Sequence, residues 1–98
     1  MILVRRTYLP KAGQGGQLLV LMRRVVDAMA GADMPRMTIY RTHTGHHGSL
    51  VVYQEWESIE RYEISRGLVR TTDTITSVFN LIYPLLQTTH HTEILEKV

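Results

Sequence analysis

Hydrophobic spacing orders this chain as strand, helix, strand, hairpin, strand, broken helix, strand, and few folds accommodate that order within 98 residues. It predicts one α+β domain over residues 1–98, with a ferredoxin-like βαββαβ arrangement. In Met1–Leu9, Ile2, Val4, Arg6 and Tyr8 share one strand face, and Leu3, Arg5, Thr7 and Leu9 share the other. Pro10 removes a ladder donor and closes the strand. From about Gln14 to Ala30, Leu18, Leu21, Met22, Val25 and Met29 recur at helical spacing and mark a core stripe. Gly31 is placed to cap that helix. The methionines read as gap-fillers in a small core rather than as soft metal ligands.

Arg36–His43 is the second predicted strand, Thr44–Gly48 a turn, and Ser49–Glu57 the third strand, with Leu50, Val52, Gln54 and Trp56 alternating against Val51, Tyr53 and Glu55. Ser58 caps the next helix, and Glu57 and Glu60 lie near its positive end. Gly67 and Thr71-Thr72-Asp73 interrupt that helix. A second piece runs to Tyr83 with Ile75, Val78, Phe79 and Ile82 on one face, and Pro84 ends it. Thr89–Val98 is the last strand. Two helices cover only one face of a four-stranded sheet, yet the first and third strands are apolar on both. An open apolar face of that size predicts face-to-face dimerisation.

The residues also limit the chemistry. The net charge is +2 and the basic residues are scattered, so no basic stripe with interleaved aromatics marks a nucleic-acid surface. The chain has no cysteine, and the apolar run at its start meets Arg5-Arg6 at once, unlike a signal peptide. No stretch is long enough for a membrane span. These features predict a cytoplasmic protein. Three glycines, Gly13, Gly15 and Gly16, precede the first helix without the spacing of a phosphate loop. The five histidines, His43, His46, His47, His90 and His91, come without carboxylate or thiol at ligand spacing, and adjacent strand residues point to opposite faces, so no metal site is predicted. No nucleophile-elbow context accompanies the serines.

Arg6-Thr7-Tyr8 with Lys11-Ala12-Gly13, Gly45-His46-His47-Gly48 with Leu50–Trp56, Ser58-Ile59-Glu60-Arg61-Tyr62-Glu63, and Thr92-Glu93-Ile94-Leu95 together resemble the dimeric α/β-barrel proteins, in particular small NIPSNAP-like ones. Ala12 stands where those proteins have proline. The resemblance implies a homodimer around a shared barrel. The same fold includes heme-degrading and quinone-forming monooxygenases. Trp56 matches the third-strand Trp of the heme enzymes, but the first strand lacks their Asn, and no His lies between Gly48 and Thr89 to serve as their helix ligand.

Arg6, Tyr8, Tyr53, Glu55 and Trp56 are the candidate ligand-binding residues. Trp56 with Tyr8, Tyr40 and Tyr53 is suited to a flat aromatic ligand, or Trp56 simply anchors the core. Arg6 and Arg41 lie on otherwise apolar faces and need partners, for which Glu55 and Glu93 are available. An Arg6–Glu55 pair would be either the polar part of a site or a structural ion pair. Three functions are expected of such a chain. One is a homodimeric protein holding a small hydrophobic or aromatic ligand, without a cofactor. The second is a cofactor-independent monooxygenase or isomerase acting on an aromatic, polyketide-like substrate. The third is a purely structural, partner-binding role.

Overall fold

A computed structural model describes residues 1–45 and 48–98; His46 and His47, expected in the hairpin turn, lie outside the described residues. The elements follow the predicted order: β1 (Ile2–Tyr8), α1 (Gly15–Gly31), β2 (Met37–Arg41), β3 (Leu50–Trp56), α2 (Ile59–Thr71), α3 (Asp73–Ile82) and β4 (His91–Glu96), with a 3-10 turn at Tyr83–Leu85. The four strands form one antiparallel sheet in the order β2-β3-β1-β4, the ferredoxin-like α+β arrangement. β1 lies inside the sheet. It pairs with β3 from Ile2↔Trp56 to Tyr8↔Leu50, and with β4 from Ile2↔Glu96 to Thr7↔His91.

The helices cover one sheet face. Ile2, Val4 and Tyr8 of β1 and Leu50, Val52, Gln54 and Trp56 of β3 are buried there. The α1 stripe meets them as predicted, with Leu18, Leu21, Met22, Val25 and Met29 all buried. Ile75, Val78 and Ile82 of α3 complete the main cluster, while Phe79 is only partly buried. Ile2, Val4, Trp56 and Tyr62 form a second, smaller cluster under α2.

The helix ends show where side chains replace missing backbone partners. Ser58 accepts a hydrogen bond from the Arg61 amide at 3.2 Å and starts α2. Gly67 does not interrupt α2. The break falls at Thr72, whose extended backbone (φ −96°, ψ 105°) ends α2 and starts α3. Three hydroxyls stabilise that break by donating to carbonyls in the last turns of α2. Thr71 Oγ1 reaches Gly67 O at 3.1 Å, Thr72 Oγ1 reaches Leu68 O at 2.6 Å, and Thr76 Oγ1 reaches Val69 O at 3.0 Å.

The end of α1 differs from the sequence expectation. Gly31 is the last helical residue, not the cap, and the left-handed position is Asp33 (φ 60°). The Asp33 amide donates to Ala30 O at 3.1 Å and the Met34 amide to Met29 O at 3.0 Å, the Schellman pattern. An aspartate tolerates this conformation but is strained in it, and glycine is not. Asp33→Gly should therefore stabilise the fold by about 0.5–1 kcal/mol, once glycine's greater freedom in the unfolded chain is subtracted. A rise of a few degrees in the thermal midpoint would show it; no change or a fall would mean that the aspartate side chain offsets the strain.

Candidate functional site

Strand alternation divides the sequence-predicted site residues between two places. Arg6, Tyr8 and Trp56 face the helices and line one pocket. Tyr53 and Glu55 face away and line a shallow concavity on the open side of the sheet. The expected Arg6–Glu55 pair does not form. Arg6 is registered with Val52 and Glu55 with Leu3, and positions 3 and 6 of one strand lie on opposite faces. Glu93 pairs instead with Arg5, Nε to Oε1 at 3.7 Å, between partly exposed side chains where such a contact adds little stability. Tyr40 and Tyr53 pack edge to face at 5.4 Å on the open side, apart from Trp56 and Tyr8. Arg41 ends exposed on the edge strand β2.

The helix-side pocket has a volume of about 160 Å³. Its position follows from the split helix: the chain breaks at Thr72, and the space between the two helices and the sheet is lined by side chains with polar tips. Gln54, buried, donates from Nε2 to Pro35 O at 2.7 Å and accepts from Trp56 Nε1 at 3.2 Å, which fixes the indole. Tyr62, 1% exposed, packs edge to face on Trp56 with ring centroids 5.9 Å apart. Its hydroxyl accepts a 2.9 Å hydrogen bond from an Arg6 guanidinium nitrogen. The guanidinium carbons of Arg6 and Arg66 lie 5.8 and 5.9 Å from the Tyr62 ring centroid. Arg70 adds a third cation to the lining. Among the described residues, no carboxylate lies at ion-pair distance from any of the three.

Opposite these cations lies a residue that the sequence places in the last strand and outside the candidate site. The Leu85–Gln87 segment pairs back onto Leu9–Lys11 through Lys11 N to Leu85 O (2.7 Å) and Gln87 N to Leu9 O (2.8 Å). The chain then enters β4 with His91 opposite Thr7, which brings His90 beside Tyr8 on the helix side. The His90 ring stacks on Tyr8 at 5.1 Å and on Tyr83 at 6.4 Å. The Tyr8 hydroxyl and His90 Nδ1 are both buried, and neither has a hydrogen-bond partner among the described residues. Burial raises the Tyr8 phenol to about 12, opposed by Arg6. Burial, then the charges of Arg6 and Arg66, lowers the His90 imidazole below its usual range. At neutral pH the pair is thus a neutral phenol beside a neutral imidazole.

The sequence reading missed Tyr62, Arg66, Arg70, Tyr83 and His90. A signal for three of them was present: Tyr62, Arg66 and Arg70 recur every fourth residue, so they occupy one face of α2. His90 carried none, because its placement depends on the long-range pairing of Leu85–Gln87.

The chain matches no protein-family model and no curated protein sequence. Solved structures do share its fold. A NIPSNAP domain protein from Burkholderia xenovorans is similar at TM-score 0.84 and 18% identity, over 100% of this chain and 95% of that one. A NIPSNAP family protein from Agrobacterium tumefaciens is similar at TM-score 0.85 and 16% identity, over 99% and 92%. An antibiotic biosynthesis monooxygenase is similar at TM-score 0.79 and 17% identity, over 100% and 99%. The chain is therefore NIPSNAP-like in fold, a fold it shares with that monooxygenase.

Two substitutions test the electrostatics of the pocket. His90 has a lower pKa folded than unfolded, so between the two values the unfolded state binds the extra proton. Its contribution to stability is present above the unfolded value, about 6.5, and is lost as pH falls through the window below it. The thermal midpoint should fall more steeply below about pH 6.5 in the native chain than in His90→Gln; parallel profiles would place His90 in solvent. Tyr8→Phe removes a buried donor with no partner among the described residues, which costs about 1–3 kcal/mol where it is left unsatisfied. That variant should be at least as stable as the native chain, and a large loss of stability would reveal a partner for the hydroxyl.

Proposed function

We propose that the helix-side pocket binds a small aromatic ligand and that the chain works as a homodimer joined through its open sheet face. The observation that carries the ligand reading is the pocket's lining. Flat rings of Trp56, Tyr62 and Tyr83 surround a volume of about 160 Å³, close to the roughly 150 Å³ of an apolar cavity that holds one benzene ring. Met29, Met34 and Val69 supply an apolar floor.

The dimer reading is supported by what the helices leave uncovered. Tyr40 is 56% exposed and Leu95 41%, beside the partly buried Leu3 and Tyr53. Arg5 lies over Tyr53, 5.8 Å from its ring centroid, so even the charged residue there presents an apolar stem. Among the described residues, no helix is long and apolar enough to cross a membrane.

A second reading, a cofactor-independent monooxygenase or isomerase acting on an aromatic polyketide-like substrate, is favoured by the unpartnered Tyr8 hydroxyl and His90 Nδ1. It also matches the shared fold of the antibiotic biosynthesis monooxygenase. The pocket volume suits one ring better than a fused polycycle, which favours the first reading.

Trp56 is the only tryptophan and lines the pocket, so it reports directly on binding. Nitrobenzene should quench its fluorescence saturably in the native chain. Val69→Trp, which fills the pocket, should abolish binding by a calorimetric titration while the circular dichroism stays native. Linear, unsaturable quenching would refute the pocket as a ligand site. Sedimentation equilibrium at micromolar concentration should give twice the 11.3 kDa chain mass, and Tyr53→Arg should shift it toward one chain. A native chain that sediments as a single 11.3 kDa species would remove the dimer reading and leave the ligand reading standing.

A further inference from the structure

We propose that the pocket takes a single-ring phenol and ionises it: His90 Nδ1 accepts the hydroxyl proton, and the phenolate oxygen is held by Arg6 and the Tyr8 hydroxyl. The inference rests on the reading of the pocket as an aromatic site and adds the chemical group recognised and the step performed. Only one bond to hydrogen changes hands. The phenol O–H breaks, its electron pair stays on oxygen, and the proton moves to the imidazole to give a phenolate–imidazolium pair.

Three observations point to a hydroxyl rather than to a purely apolar or a carboxylate ligand. First, the Tyr8 side chain is 0% exposed, lines the pocket, and has no partner for its hydroxyl among the described residues. A buried donor of this kind is costly unless something fills its hydrogen bond. Second, His90 Nδ1, also buried and unpartnered, stands on the same wall, its ring stacked on that of Tyr8 at 5.1 Å. With the imidazole proton on Nε2, Nδ1 is an acceptor. A ring hydroxyl satisfies both groups at once, donating to one and accepting from the other. A carboxylate accepts only and would leave the imidazole lone pair unmet. Third, the guanidinium of Arg6 is oriented by Tyr62 at 2.9 Å and has no carboxylate partner among the described residues, so it is available to an oxyanion. Arg66 and Arg70 from α2 raise the positive field further.

The groups that face His90 come from three directions. Arg6 and Tyr8 lie on β1, Tyr62 and Arg66 on α2, and Tyr83 on the 3-10 turn. None is a carboxylate, so nothing but a ligand anion would favour protonated His90 there. Proton transfer to the imidazole is therefore coupled to the appearance of the phenolate. An aromatic hydroxyl that stayed neutral would not draw a proton into this site.

4-Nitrophenol tests the step because its ionised form absorbs in the visible. Bound to the native chain, it should ionise with a midpoint at least one pH unit below that of the free compound, a tenfold change in the ionised-to-neutral ratio. His90→Gln and Arg6→Met should each lose at least half of that shift. His91→Gln, whose side chain is on the opposite sheet face, should keep all of it. Arg6→Lys, which retains a charge, should fall between native and Arg6→Met, and it serves if Arg6→Met does not fold. The inference is overturned if bound nitrophenol ionises at the midpoint of the free compound, if His90→Gln keeps the whole shift, or if benzoate displaces nitrophenol while the latter stays protonated. Saturable binding of nitrobenzene with no binding of nitrophenol would overturn this inference alone. Failure of both to bind would overturn the aromatic-pocket reading beneath it.

Discussion

The fold depends on β1 being hydrogen-bonded on both sides while burying one face. Antiparallel pairing with β3 and β4 satisfies its ladder groups, and alternation then sends Ile2, Val4 and Tyr8 under the helices. A one-residue slip in either register would exchange that face for Leu3, Arg5 and Thr7 and place a guanidinium where Val4 now sits. Such a slip would expose Ile2, Val4 and Tyr8, so the apolar pattern of a seven-residue strand specifies the sheet. The outer strands β2 and β4 inherit their positions from it. β4 contributes little burial of its own and is held by pairing with β1 and by the Leu85–Gln87 contacts that precede it.

The same alternation puts Arg6 on the buried side, and much of the pocket is the consequence. A guanidinium there cannot be surrounded by aliphatic side chains without a large desolvation cost. The chain answers with the Tyr62 hydroxyl and the faces of its ring, not with an acidic partner. Rings and one hydroxyl compensate a charge less fully than a carboxylate would, and they leave its outer edge available. The break at Thr72 completes the geometry. A continuous helix could not place both the Tyr62–Arg66–Arg70 face and Phe79 around the same space. Threonine hydroxyls that donate to carbonyls in the last turns of α2 help the chain to stop and restart there.

How far the sequence foretold this differs by the range of the interactions involved. Period-two and period-3.6 spacing reflects local geometry, and it placed every strand, the α1 stripe and the break near Thr72 within a few residues. The cap at Ser58 was legible for the same reason. The cap of α1 was not, because choosing Gly31 rested on glycine's preference alone, whereas the Schellman bonds select the residue two positions later. Site residues fared less evenly. Arg6, Tyr8 and Trp56 do converge, since all three follow from facing rules applied to β1 and β3. Pairing Arg6 with Glu55 failed because it assumed a shared face where the parity of the register forbids one. His90 was out of reach of local reasoning altogether.

The unpartnered groups impose a stability argument on any account of this pocket. A small domain is stable by about 5–15 kcal/mol, and each buried polar atom left without a hydrogen bond costs on the order of 1–3 kcal/mol. Tyr8 and His90 together therefore take an appreciable share of what a chain this short can supply. Phenylalanine at both positions would keep the stacking of rings and remove the penalty. The stacking itself cannot then explain the hydroxyl and the ring nitrogen. A binding partner that satisfies both can, since it returns the lost hydrogen bonds only when it occupies the pocket. The cost of leaving the two groups unpaired then adds to the affinity for any ligand that pairs them. On this argument the polar tips are better understood through the ligand they would meet than through the fold they burden.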